Sequence, residues 1–189
     1  ISPSKRSILF TAGLIAGEAL MDQHQIMATE SNMSYKSPPP TAAQFAEVAV
    51  DTQTGKIKVD RLLMAVDCGR VINPITAAGQ VEGGMAQGLG FTLFEDTLFD
   101  DKGRIINDRF RDYHILTADE APPMDVVFVQ TSEPSGPFGA KSVAEISIDG
   151  VAPAIINAVH NAIGIWFHDL PLTPEKVLSG LKSKSKILS

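Results

Sequence analysis

The chain has 189 residues, 44% hydrophobic and 20% charged, which is enough for one domain with its own core and excludes disorder as a global description. Its net charge is −6, and its basic residues are scattered apart from Lys182, Lys184 and Lys186, so no basic stripe exists to neutralise nucleic-acid phosphates. The single cysteine, Cys68, excludes an internal disulfide and offers no thiolate set for structural zinc or an iron–sulfur cluster; a reducing cytosol is the expected compartment.

Residue 1 is Ile, which suggests a fragment, a processed product or an incomplete subunit, with part of any site elsewhere. The apolar run from Ile8 to Met21 is interrupted by Gly13, Gly17 and Glu18 and is too short to span a bilayer; no cleavable leader is evident. Asn32-Met33-Ser34 is then a chance sequon. Helical spacing of Ile8, Ala12, Ile15 and Ala19 predicts a helix over Ser7 to Met27, and Pro38-Pro39-Pro40 makes Ser31 to Thr41 an extended connector. Residues 1–41 are thus a helix and connector, and 42–189 the main body.

Ala42–Asp51 and Ile57–Cys68 favour β structure around Thr52-Gln53-Thr54-Gly55-Lys56, a linker of hairpin length. Uniformly apolar Leu62 to Val66 predicts a central, buried strand. From Ile75 to about Leu89 a helix is expected, and its Gly79, Gly83, Gly84 and Gly88 require close packing to offset their poor helix propensity. Phe91–Phe99 and Arg104–Asn107 read as a second hairpin around Asp100 to Gly103, with Phe91, Phe94 and Phe99 as core; Met124–Gln130 reads as a further strand. Val151, Ile155, Ile156, Val159 and Ile163 trace one helical face, ended by Gly164. Thr173 as N-cap, Pro174 and Glu175 start a last helix. The fold class is α+β, β-hairpins packed with helices.

The stretch from Glu133 to Glu145 (Glu-Pro-Ser-Gly-Pro-Phe-Gly-Ala-Lys-Ser-Val-Ala-Glu) is a Gly/Pro-rich loop ending in a carboxylate before an apolar helix. It suits a buried site in which Glu145 moves a proton and backbone N–H groups are open to oxyanions; an ordinary long turn is the competing reading. The histidines His24, His114, His160 and His168 are dispersed without ligand spacing, so any metal must arrive on a cofactor. Cys68 reads as a small buried hydrophobe and His160 as a surface or packed histidine, rather than as reactive groups.

Three ordered segments carry a resemblance: Val66-Asp67-Cys68-Gly69-Arg70-Val71-Ile72-Asn73-Pro74 running into Gly79-Gln80-Val81-Glu82-Gly83-Gly84-Met85-Ala86-Gln87-Gly88-Leu89-Gly90; Gly136 to Glu145; and Asp169 to Leu178. Together they resemble the C-terminal part of the molybdopterin-binding large subunit of molybdenum hydroxylases, the xanthine dehydrogenase and aldehyde oxidase family. The likeness runs from Gln44 to Leu181 and is loose over residues 1 to 40.

The resemblance implies a molybdenum–pyranopterin cofactor, with or without a nucleotide extension, and no side-chain ligand to the metal. It implies iron–sulfur and FAD partner subunits in a cytoplasmic, multi-subunit complex that needs the remaining molybdopterin-binding portion. Glu145 maps onto the family's active-site glutamate, implied to be the general base toward a metal-bound hydroxyl; a carboxylate stabilising the next helix is the alternative. Gln80 falls where the family places a glutamine touching the pterin, against the alternative of a buried, satisfied amide. Gly139, Lys141 and Ser142 are further cofactor-binding candidates, although Ser142 could equally cap the local turn.

Many relatives carry Gly-Val-Gly-Glu-Pro where this chain reads Ser142-Val143-Ala144-Glu145-Ile146. The implied function is hydroxylation of a purine or other N-heteroaromatic compound with water as oxygen donor. Competing expectations are an aldehyde-oxidising member of the family, a non-catalytic subunit completing a neighbour's core, and an unrelated α+β binding protein.

Overall fold

The computed structural model describes residues 38–188 together with 14–17, 20–21, 29, 31 and 36; for 186–188 only the backbone is described. The chain divides into units of residues 1–35 and 36–189. In the first, residues 14–17 and 20–21 are helical, and the rest of the helix expected over 7–27 lies outside the described residues.

The second unit opens with strand β1 (Thr41–Val50), antiparallel to β2 (Ile57–Asp67), in register from Thr41 opposite Asp67 to Val50 opposite Ile57. Asp51 makes the turn: its Oδ1 accepts from the Gln53 and Thr54 N–H groups (2.8 and 3.3 Å), and its carbonyl accepts from Gly55 N–H (2.7 Å). A register shift at Glu47/Val48 is the one irregularity between the two strands. Strand β3 (Met124–Phe128) adds parallel to β2 and makes it central, as its apolar run predicts. Leu62, Met64 and Val66 are buried on one face, whereas the other face is only partly covered and leaves Phe45 of β1 exposed.

Helix α1 (Pro74–Leu93) begins on Asn73, whose Oδ1 accepts from the Ile75 and Thr76 N–H groups (3.1 and 3.3 Å). It runs four residues past Leu89 and absorbs the start of the expected second hairpin. The cause is tertiary: Thr92 is fully buried, its Oγ1 donates to the Gly88 carbonyl (2.6 Å), and its own carbonyl accepts from Leu172 N–H (2.7 Å). Of that hairpin there remains an isolated Phe99–Ile105 bridge around the 100–103 turn. Phe91 and Phe99 are exposed rather than core, because no described element covers their side; Phe94 is half-buried, edge-on to His114 (4.8 Å).

After β3 come a 3-10 turn (Pro137–Gly139), the short helix α2 (Ile146–Asp149), α3 (Val151–Ile163) and α4 (Pro174–Leu188). Val151, Ile155 and Val159 of α3 are buried with Val81, Met85 and Leu89 of α1 and the inner face of β2 in one core. Residues 146–163 are long and apolar enough to cross a membrane by length and composition, and Val151, Ile155 and Val159 among them join the core. Gly164 ends α3 in the left-handed conformation (φ 67°), its N–H donating to the His160 carbonyl (2.6 Å). Thr173 caps α4 through Lys176 N–H (3.4 Å). The elements are α+β, with one three-stranded sheet in place of separate hairpins.

Candidate functional site

One face of α1 organises the region. Gln80, Gly84 and Gly88 recur every four residues and meet Ala144, Ser147 and Val151 in turn. A Cβ at Gly84 would fall inside the Ser147 side chain, and one at Gly88 would lie 2.7 Å from Val151 Cβ and Cγ2. The missing side chains therefore let residues 144–151 lie directly on the helix. One turn earlier, Gln80 Nε2 donates to the Ala144 carbonyl at 3.2 Å. Gln80 and Glu145, separated by 145 − 80 = 65 positions, are thereby brought to one place.

Glu145 stands at the N-cap of α2 but does not cap it: its backbone is helical (φ −88°, ψ −10°) and its side chain accepts no cap hydrogen bond. Its carboxylate is exposed and takes part in no ion pair among the described residues. The expected buried site is thus not enclosed by the described residues, which provide a floor under Glu145 and no opposing wall. Gln80 is likewise exposed, not a buried amide, and keeps a carbonyl oxygen and a second N–H beyond the bond to Ala144.

The Gly-rich loop departs from the open anion cradle that its composition suggests. Gly136 N–H donates to Glu133 O (3.1 Å), Gly139 N–H to Gly136 O (3.1 Å), Ala140 N–H to Pro137 O (3.0 Å) and Lys141 N–H to Cys68 O (2.7 Å). These amides are consumed within the loop or by the end of β2 and are not free for an oxyanion. Gly139 is buried at φ 85°, and its carbonyl accepts from Arg70 and Glu133 N–H (2.8 and 3.0 Å). It holds the loop to the strand end and presents no donor outward.

Lys141 also points inward. Its Nζ donates to Asp67 Oδ2 at 2.8 Å, while Asp67 Oδ1 accepts from Gly69 N–H (2.8 Å) and Thr131 Oγ1 (2.7 Å). Lys141, then Thr131 and the Gly69 amide, hold the Asp67 carboxyl down at about 2. Ser142 Oγ accepts from Ala144 N–H (3.3 Å), so the turn-capping alternative is realised in the exposed segment leading to Glu145. Asp67 and Thr131 carry no signal as site residues in the sequence; their pairing with residue 141 exists only in the fold. Cys68 is buried, which pushes its thiol up, and His160 stacks on Trp166 (3.9 Å); both are packed groups.

Among the described residues no group of three or more His, Cys, Asp or Glu side chains stands together. An exposed amide, an uncommitted carboxylate and the open helix surface at Gly79 and Gly83 suit a polar organic group lying along α1 better than a bare cation.

The chain belongs to the molybdopterin cofactor-binding domain family, whose profile matches residues 5–122. The match takes in residues 5–40, where the motif likeness is loose, and ends before the loop that carries Glu145. The chain is 40% identical over 144 residues to the probable hypoxanthine oxidase XdhD of Escherichia coli, covering 76% of this chain and 15% of the relative. It is 37% identical over 154 residues to the putative xanthine dehydrogenase molybdenum-binding subunit XdhA of the same organism, covering 81% and 20%. Among solved structures it superposes on the aldehyde oxidoreductase of Desulfovibrio gigas with TM-score 0.70 and 36% identity, over 76% of this chain and 15% of that one. The chain thus spans 15 to 20% of the length of these relatives.

Proposed function

We propose that this chain supplies one wall of the catalytic site of a molybdenum-dependent hydroxylase that oxidises a purine or other N-heteroaromatic compound, with water as oxygen donor. Gln80, at the exposed start of the glycine row, holds the molybdenum–pyranopterin cofactor through its amide. That cofactor, when bound, supplies the two-electron acceptor. Glu145 is the general base: its carboxylate takes the proton that the attacking water oxygen must lose. The single observation that carries this reading is the Gln80–Ala144 hydrogen bond, which sets a carboxylate with no structural employment beside an amide suited to a polar cofactor. Gly139 and Lys141 shape the loop, and Ser142 orders its last turn.

Enclosure of Glu145 then comes from the rest of a molybdopterin-binding portion, on the same chain or another. Iron–sulfur and FAD subunits carry the electrons away in the cytosol. The purine preference draws on the likeness to proteins named as hypoxanthine oxidase and xanthine dehydrogenase. An aldehyde substrate is the second reading, favoured by the 36% identity to an aldehyde oxidoreductase, and parallel assays with purines and aldehydes decide between them.

The test is Glu145→Gln in the assembled, molybdenum-loaded enzyme. Loss of a general base lowers kcat by about 10²- to 10⁴-fold with molybdenum retained. Wild-type turnover in a fully loaded variant refutes the role, and a chain that only completes a neighbour's core becomes the better description.

A further inference from the structure

We infer that Asp67 is a positioning residue: through its ion pair with Lys141 it fixes the base of the loop that ends in Glu145, and so sets where that carboxylate stands. The inference rests on the reading of Glu145 as the proton acceptor.

Asp67 is the last residue of β2, and both its oxygens are engaged, Oδ2 by Lys141 and Oδ1 by Gly69 and Thr131. The pair spans 74 positions and is shielded, with side-chain exposures of 10% for Lys141 and 22% for Asp67. The Arg61–Asp125 and Arg111–Asp112 pairs are open to water, the usual state in which ion pairs fix little. Around the tie the backbones are zipped: Gly69 bridges Ala140, Arg70 N–H donates to Gly139 O, and Lys141 N–H donates to Cys68 O. Gly69 permits this approach, since a Cβ there would lie 2.8 Å from Lys141 N and closer still to the Gly139 carbonyl.

Three residues separate Lys141 from Glu145. Just before Glu145 the segment is held by the Gln80 bond to Ala144, which is exposed and longer at 3.2 Å, and just after it by Gln44 Nε2 donating to the Ser147 carbonyl at 2.8 Å. The shielded tie at 2.8 Å is therefore the firmer of the two anchors that precede Glu145.

Asp67→Asn in the assembled, molybdenum-loaded enzyme removes the ionic tie and leaves an amide oxygen for Gly69 and Thr131. The expected result is a fall in kcat per molybdenum of about 10- to 100-fold, since displacement of a reacting group by ~1 Å costs that much. KM stays within about twofold, because binding is not what is lost. Hydrogen exchange speeds up at the amides of residues 139–141, a readout independent of turnover. Lys141→Met reproduces both effects and serves where Asp67→Asn fails to load, while Lys141→Arg keeps the charge and retains most of the turnover. Wild-type turnover per molybdenum in a variant whose loop exchange has risen overturns the inference. So does activity that falls only in step with lost molybdenum, which is the mark of a merely structural role. Should Glu145→Gln prove fully active, the base reading fails by itself, and the exchange data still report whether Asp67 holds the loop.

Discussion

Helix α1 carries two pairs of glycines that look alike in sequence and differ in what they face. Gly84 and Gly88 lie under Ser147 and Val151, with no room for a methyl group; Gly79 and Gly83, on the exposed side, have nothing within 4 Å of where a Cβ would stand. The first pair is explained by packing: without it α2 and α3 could not lie on α1, and Ala144 could not reach Gln80. The second pair receives no such compensation from the described residues. Two glycines in a helix interior lower its stability by roughly 0.8–1.0 kcal/mol each relative to alanine. Glycines that look alike on one helix therefore differ in what they answer to: one pair is required by packing within this unit, and no described residue requires the other.

The largest effect is expected at the covered pair. Gly88→Leu forces a branched side chain against Val151 and the Ile148 carbonyl, and overpacking of a filled core costs about 1–3 kcal/mol or more. Gly84→Val meets the buried Ser147 side chain in the same way. Urea unfolding of the assembled protein measures both, and a midpoint unchanged from wild type would show that α2 and α3 do not need the close approach.

The open pair should respond with the opposite sign. Alanine at Gly79 or Gly83 meets no atom of this unit and gains helix propensity, so stability rises by up to ~1 kcal/mol for each substitution. The same unfolding experiment reads it. A loss in place of a gain would break the comparison, by showing that this helix face is in close contact with something else in the assembled protein.

What could be read from the sequence follows a physical division between local and non-local causes. The β1–β2 hairpin was legible because Asp51 to Gly55 is a self-contained turn, and α3 because Val151, Ile155 and Val159 repeat at the helical period. The second hairpin was not: Phe91-Thr92-Leu93 has β character, but burial of Thr92 beneath Leu172 keeps it in the helix. The position of Glu145 after a Gly/Pro-rich loop could be picked out, and Gln80 was matched by resemblance. That the loop would bond within itself and to the chain after β2, with Lys141 N–H donating to Cys68 O and Gly139 O accepting from Arg70 N–H, could not be foreseen, since Cys68 and Arg70 lie some seventy positions earlier. Nor could the exposure of Glu145, which depends on what packs over it and not on any residue near it in sequence.

The smallest effect at neutral pH, and the sharpest check on the covered side, concerns Asp67. Its carboxyl is lowered from the ordinary 3.8 to about 2, first by Lys141 and then by Thr131 and the Gly69 amide. For a depressed carboxylate the stabilisation is fully present above the unfolded-state value and disappears as pH falls from about 3.8 through about 2. Between pH 5 and 9 the Asp67 carboxylate is therefore fully ionised, and neither limb of an activity profile in that range belongs to Asp67. Carbon-13 NMR of the Asp67 carboxyl should show a midpoint near 2 in the native protein, moving up toward 3.8 in Lys141→Met, where the largest cause is removed. A native midpoint near 3.8 would mean that water, not Lys141, holds the carboxylate, and the covered side of the site would then be no better anchored than the open one.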